Sequence, residues 1–272
     1  PPSGDASPEP EVGVEAVQPS PLEDEAAGFA PLLTAPHAPL GTSSPDPLLA
    51  PLPVAAEPPV VPAAAHRAEP DVIWGTGRTT EQVLSLVREA RREHPDRPAL
   101  VLRASADTLV ALASEHDAYT TMDAAAMAAA VGPLPEPVGR VRVLCAGGAD
   151  TPVAAEAAFV ARVTGTDVVR VDDLSGSRLR AALADGSLLT DVDCLVVVAG
   201  LDASIATTIG SLTDVPVVAV PTSTGQPSAF GGLGALMTML SSAAPGVAVS
   251  NIDNGWSAGV FAARVARRSA RR

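Results

Sequence analysis

The stretch Val220-Pro-Thr-Ser-Thr-Gly-Gln-Pro-Ser-Ala-Phe-Gly-Gly-Leu-Gly234 decides how this chain is read. An apolar run ends at Val220, a Ser/Thr/Gly loop follows, and the small and apolar residues from Phe230 to Ser242 then read as a helix. Downstream, Val247 to Ser250 reads as another apolar strand, closed by the polar loop Asn251-Ile-Asp-Asn-Gly255. Polar loops at the carboxyl ends of strands are where open α/β sheets bind their ligands. The stretch from Pro216 to Asn251 carries no charge, but Pro, Gly and polar loops interrupt it, so it predicts a buried core segment rather than a membrane span.

Outward from that stretch, strand and helix alternate five times from Arg140 onward. The expected strands lie near Val141–Ala146, Asp167–Val171, Cys194–Ala199, Pro216–Val220 and Val247–Ser250. Helices are expected at Thr151–Val163, Ser177–Leu183, Ala203–Leu212, Phe230–Ser242 and Ser257–Arg268. Continuous apolar strands between amphipathic helices imply a parallel sheet covered on both faces, hence a doubly wound, flavodoxin-like α/β domain at 139–272. A smaller α/β domain is expected at 67–138, with strands at Asp71–Trp74 and Ala99–Leu102. There Thr79-Thr-Glu-Gln82 reads as a capping box ahead of a helical stripe of Val83, Leu84, Leu86, Val87 and Ala90, and 107–114 and 123–130 read as short helices. The turn-rich Gly132-Pro-Leu-Pro-Glu-Pro137 marks the boundary between the two domains. Arg264, Arg267, Arg268, Arg271 and Arg272 fall at the end of the last helix, where cations suit the macrodipole, and are read as a solvated helix end.

The first 66 residues contrast with the rest: they hold 16 Pro, nine Asp or Glu and no Lys or Arg, and so supply nine of the thirteen net negative charges. Residues 1–66 are therefore expected to be an acidic, Pro/Ala-rich disordered tail. What is left is only mildly acidic and gives no sign of nucleic-acid binding. Cys145 and Cys194 both sit inside apolar strand-like runs, so buried free thiols and a cytoplasmic setting are expected. No n-region or h-region of a signal peptide is visible at the start.

The residue inventory restricts the chemistry. The chain has no Lys, and all four histidines (His37, His66, His94 and His116) precede Arg140. Schiff-base chemistry, a P-loop lysine and a three-histidine metal site are thereby excluded from the larger domain, and no metal ligands are assigned. Proton transfer there must rely on carboxylates. Asp150, Asp202 and Asp253 stand at expected strand ends and are the candidate catalytic acids, with Asp172 or Asp173 at another. Each also has an ordinary reading as a cap or turn acid. Gly147 and Gly148 open a helix, a turn that suits a phosphate, and the 223–232 loop combines hydroxyls and glycines at a helix start. Ser223, Thr224, Gly225, Gly231, Gly232, Asn251 and Asn254 are therefore candidate substrate-binding residues, joined by Arg78 of the small domain.

Several segments together resemble the LarB family. They are Ala146-Gly-Gly-Ala-Asp150 with Pro152-Val-Ala-Ala-Glu156, Val197-Val-Ala-Gly200, Val217-Val-Ala-Val-Pro-Thr-Ser223, Phe230-Gly-Gly-Leu, Ala244-Pro-Gly-Val and Asn251-Ile-Asp-Asn-Gly255. In the small domain Pro70-Asp-Val-Ile-Trp-Gly-Thr-Gly-Arg-Thr79 is similar to the family's Pro-Glu-Val-x-x-Gly-x-Gly-Lys-Thr segment. LarB proteins carboxylate nicotinic acid adenine dinucleotide and cleave its phosphoanhydride, making a pyridinium biscarboxylate mononucleotide for the nickel-pincer cofactor. They are related to the aminoimidazole ribonucleotide carboxylases and mutases. The resemblance implies a nucleotide-like substrate and CO2 or bicarbonate as co-substrate. No tightly bound cofactor is expected, with room left for Mg2+. It further implies a homo-oligomer, an octamer in the carboxylases, and neither nucleic acid nor membrane as partner.

The chain departs from the family at reactive positions. Ala243 stands where the family has a Cys thought to attack the pyridinium ring; the resemblance implies a position beside the reacting ring, and a small packing residue at a helix end is the other reading. The family's histidine after the second strand is missing from Leu174-Ser-Gly-Ser-Arg178, Asp202 stands for a Glu, and Arg78 for a Lys. Three readings stay open: a LarB-like carboxylase and hydrolase, a carboxylase or mutase acting on another nucleotide such as an aminoimidazole ribonucleotide, and an inactive nucleotide-binding subunit.

Overall fold

The computed structural model describes residues 69–224 and 227–270. The tail expected at 1–66, Gly225, Arg271 and Arg272 lie outside the described residues. Among the described residues nine strands form two sheets that belong to one compact unit.

The larger sheet contains β5 (Arg140–Cys145), β6 (Asp167–Val171), β7 (Cys194–Ala199), β8 (Val217–Pro221) and β9 (Val247–Val249), all parallel, in the order β6-β5-β7-β8-β9. Helices α3 (Thr151–Val163), α4 (Gly176–Asp185), α5 (Ser204–Gly210), α6 (Leu233–Leu240) and α7 (Gly255–Ser269) connect or follow them. The doubly wound, flavodoxin-like α/β arrangement expected from the alternation is the one observed. Because successive strand residues face opposite sides, each strand feeds two cores. Val141, Val143, Cys145, Val196 and Val198 pack against α3 and α7, while Leu144, Leu195, Val197 and Ala219 face the layer that contains α5 and α6. The strand order reverses between β5 and β7, so the loops after these two strands border one crevice.

The smaller sheet runs β1-β2-β4-β3, from β1 (Asp71–Trp74), β2 (Ala99–Leu102), β3 (Thr120–Asp123) and β4 (Ala128–Val131). Helices α1 (Thr80–Glu93) and α2 (Ala106–His116) pack against it, and α1 begins with the expected capping box at Thr79 and Gln82. The helix expected at 123–130 is instead a hairpin. Asp123 turns the chain by accepting the amides of Ala125 and Ala126, and Ala128 to Val131 then form a strand paired on both sides. Alanine's helix preference is a few tenths of a kcal/mol per residue, and burial between two strands overrides it. Small side chains are needed here because α3 packs closely: Ala126, Ala128 and Ala130 share a core with Ala155, Phe159, Val160 and Val163. Helix α3 is therefore buried between the two sheets, apolar on nearly every face.

At the end of α7, Arg264 forms a two-pronged ion pair with Glu69 and Arg267 donates to the Thr164 carbonyl, so two of the terminal arginines are tied to the body. Among the described residues no helix is long and apolar enough to cross a membrane.

Candidate functional site

The crevice at the carboxyl edge of the larger sheet opens into a cavity of about 440 Å3. Its floor and walls come from Gly200 to Ser204 after β7, Thr222 and Thr224 after β8, and Gly234, Ala235 and Thr238 of α6. Behind this wall lies Asp150, buried at 4 % exposure at the start of α3. Thr222 donates its hydroxyl to Asp150 Oδ1 at 2.6 Å, and Thr224 lies 3.3 Å from the same oxygen and 3.0 Å from the Thr222 hydroxyl. A chain of hydroxyls thus joins the open cavity to a buried carboxyl.

Burial raises the pKa of Asp150, and the hydrogen bonds from Thr222, Thr224 and the backbone at Gly147 and Gly200 only partly oppose that shift. Gly200 permits the arrangement by having no side chain. A Cβ there would stand 2.3 Å from the Thr222 hydroxyl and 2.5 Å from the Thr224 carbonyl. Cys145 sits on the strand leading into this turn, but burial, and then the charges of Asp150 and Asp172, push its thiol up to about 11. It is a protonated packing residue that donates to the Gly147 carbonyl, not a nucleophile at neutral pH.

The three candidate acids occupy three different settings. Asp202 lines the cavity, is exposed, and accepts the Ser204 hydroxyl at 2.7 Å. Asp150 stands one hydroxyl deeper. Asp253 is a connector: its carboxylate accepts the Ser223 amide at 2.8 Å and its amide donates to the Pro221 carbonyl.

The candidate binding residues divide likewise. Thr224 faces the cavity, Ser223 is held at its rim through Asp253, and Gly147 is the residue before the short turn that carries Asp150. Gly148 and Gly231 are exposed, and Gly232 starts α6 against Ile252. Asn254 caps α7 through its side-chain oxygen, which accepts the Ser257 amide at 2.9 Å, and Asn251 is exposed in the preceding loop. Arg78 lies on the loop after β1, donates to the Trp74 carbonyl, and does not line this cavity. Among the described residues no three His, Cys, Asp or Glu side chains gather as a metal-ligand set.

Ala243 does not line the cavity either. It is exposed in the loop between α6 and β9, and that loop leads into the amino end of its strand, where the Gly246 carbonyl accepts the Val217 amide. In a parallel sheet this is the edge opposite the crevice, so within this chain Ala243 stands away from the 440 Å3 cavity.

The comparisons with known proteins match this part of the chain. Residues 140–272 match the AIR carboxylase family. An uncharacterized protein of Methanocaldococcus jannaschii is 41% identical over 134 residues, which make up 48% of this chain and 50% of that protein. The chain thus spans about half the length of that curated relative.

Within this part of the chain, residue-by-residue reasoning misses Thr222, Thr238 and the role of Gly200. Thr222 is one of three consecutive hydroxyl residues, Thr222 to Thr224, and its burial at 1 % exposure shows only in three dimensions. Two more residues stand beside the site. Glu156 of α3, 5 % exposed, accepts the Trp256 amide at 2.8 Å, and Arg103, just after β2, donates to Glu156 at 3.2 Å and to the Asp253 carbonyl at 2.8 Å. The contacts of Arg103 join residues 53 and 150 positions apart, which no local pattern announces.

Proposed function

We propose that this chain is a carboxylase or mutase acting on a nucleotide-like small molecule, with the reaction at the carboxyl edge of the larger sheet. The observation that carries this reading is the hydroxyl chain from the 440 Å3 cavity through Thr224 and Thr222 to buried Asp150. Moving a carboxyl group on or off a ring carbon requires a proton to leave or arrive at that carbon. A carboxyl with a raised pKa, reached through two hydroxyls in a partly dehydrated wall, can accept and return it. Asp202, at the mouth, is placed to hold a hydroxyl of the substrate, and the small residues Gly200, Ala203, Gly234 and Ala235 leave room for a flat ring.

The set of side chains favours an electron-rich ring, of the aminoimidazole ribonucleotide kind. Such a ring carbon attacks CO2 itself and then needs only a base for its proton. A pyridinium ring is electrophilic and must first gain a nucleophile, whereas the cavity offers hydroxyls without a His or Lys to activate them. A second reading, LarB-like carboxylation and hydrolysis of nicotinic acid adenine dinucleotide, draws support from motifs in both sheets, above all Asp71 to Thr79 and Asn251 to Gly255. The likeness also supports a homo-oligomer and a reduced, cytoplasmic setting for the two buried thiols.

Incubation with labelled bicarbonate and each nucleotide in turn tests the assignment. Label fixed in an aminoimidazole ribonucleotide, and abolished in Asp150→Asn, supports the first reading; a labelled mononucleotide from the dinucleotide supports the second. Binding of either without turnover would identify an inactive subunit and end the enzymatic proposal.

A further inference from the structure

A second cavity, of about 320 Å3, lies between the smaller sheet and the amino end of α3. Its walls are small and apolar, from Ala104, Ala126, Met127, Pro152 and Val153, and Arg103, Glu156 and Asp253 supply its polar groups. This size is within the range of small-molecule sites.

Arg103 is held here by several independent constraints. Its backbone takes a left-handed conformation (φ 53°), which a non-glycine residue keeps only where the surroundings enforce it. Its guanidinium lies over the Trp74 ring, 5.4 Å from the centroid. Nε donates to Glu156 at 3.2 Å and one Nη to the Asp253 carbonyl at 2.8 Å. Those two nitrogens form one edge of the planar fork. The other Nη, on the outer edge of the fork, has no partner among the described residues, and the side chain is 45% exposed. Glu156 balances its formal charge, so the outer edge selects by paired hydrogen bonds at short range rather than by long-range attraction.

We propose that this cleft is a second ligand subsite, in which the outer edge of Arg103 takes an oxyanion, carboxylate or phosphate, carried on a flat apolar body that fills the space between Met127 and Val153. Asp253 links the cleft to the first cavity, because the residue whose carbonyl holds Arg103 also holds the Ser223 amide through its carboxylate. The inference stands apart from the carboxylase reading, since an oxyanion can bind here whether or not the other cavity turns over a substrate.

The two tryptophans report on the cleft directly: Trp74 lies under Arg103 and meets Trp256 edge to face at 5.5 Å, and the chain has no others. Tryptophan emission of the full chain is titrated with phenyl phosphate and with benzoate, using benzyl alcohol as the uncharged control. A saturable change with either anion is expected, the tighter one naming the oxyanion, with benzyl alcohol at least about tenfold weaker. Arg103→Met should weaken the anion by about tenfold or more, and Asp202→Asn, in the other cavity, should change it by less than about twofold. Arg103→Met leaves Glu156 buried without its cation, so Arg103→Lys serves where that variant fails to fold. Lys keeps the charge, loses the fork, and should bind about fivefold more weakly. No saturable change with either anion, unaltered affinity in a folded Arg103 variant, or a loss caused by Asp202→Asn instead would each overturn the subsite.

Discussion

The two helical layers on the larger sheet are built to different standards. On one side α3 and α7 touch backbone to backbone: a Cβ at Gly255 would lie 2.5 Å from the Val153 carbonyl, and one at Gly259 2.6 Å from the Ala157 carbonyl. The smaller sheet then covers the outer face of α3. On the other side α5 and α6 have only seven and eight residues, and Phe230, Leu233, Met237 and Leu240 are left exposed. The contact between α3 and α7 has no space to spare, while the second layer leaves the cavity into which Thr224 and Asp202 project. Dense packing fixes one wall of the site, and short helices leave the other open.

The contrast is most easily broken at Gly255. In Gly255→Val, three carbons, Cβ and its two methyls, would have to enter a space bounded by backbone atoms of α3, which cannot rotate away. A loss of about 3 kcal/mol or more is expected, read from urea unfolding, because overpacking of this kind forces helices apart. An unfolding midpoint near that of the wild type would show that the α3–α7 contact yields, and that the two layers do not differ as described.

Asp150 lies where the two layers meet, on the closed side but facing the open cavity. Asp150→Asn keeps an oxygen for Thr222 yet cannot exchange a proton, so turnover should fall by about a hundredfold or more. Burial raises the pKa of this group above 3.8, so the folded chain holds a proton that the unfolded chain has released. Asp150 therefore adds stability that is fully present below 3.8 and lost as pH rises through its folded value. The asparagine variant should gain on the wild type across that window. Unfolding series at pH values from about 3 to 7 would read this, and parallel curves would mean that Asp150 ionises as freely in the folded chain as in the unfolded one.

Gly200→Ala sharpens the comparison on the open side. The added methyl would press on Thr222 and the Thr224 carbonyl, in a wall that borders empty space and can move outward. A stability loss of about 1–2 kcal/mol is expected, smaller than at Gly255, together with loss of ligand binding as the hydroxyl chain is displaced. Retained binding in a crystal with an unmoved Thr222 would refute that account.

The larger fold was legible because its apolar strands and amphipathic helices alternate regularly, and every strand from Arg140 onward lies within a residue or so of its expected place. The hairpin at 120–131 was not, since Ala124 to Ala130 has a helical composition and only the pairing partners, β2 and β3, make it a strand. For the site, the sequence marks the loops but not the roles within them. Asp150, Asp202 and Asp253 look alike on paper, each an acid after a strand; burial raises the pKa of one, exposure leaves another at the mouth, and a backbone amide turns the third into a tie. Arg103 was invisible because its partners are far away along the chain, and motif likeness does not say which edge of the sheet the Ala243 loop occupies.

The smallest expected effect separates capping from binding at Asn254. Helix α7, on the closed side, begins with the Asn254 side chain accepting the Ser257 amide, whereas α6, on the open side, starts at Gly232 with no side-chain cap. The first amides of a helix lack partners inside it, so removing a cap typically costs about 1 kcal/mol. Asn254→Ala should lose about that much in urea unfolding, and Asn254→Asp, which keeps an acceptor oxygen at the positive end of the helix, should recover most of it. If capping is its whole role, neither variant changes the affinity for a nucleotide-like ligand at the 440 Å3 cavity, whose lining does not include Asn254. A folded Asn254→Ala protein that bound such a ligand tenfold more weakly, about 1.4 kcal/mol, would return this residue to the binding site and make the start of α7 part of the open side after all.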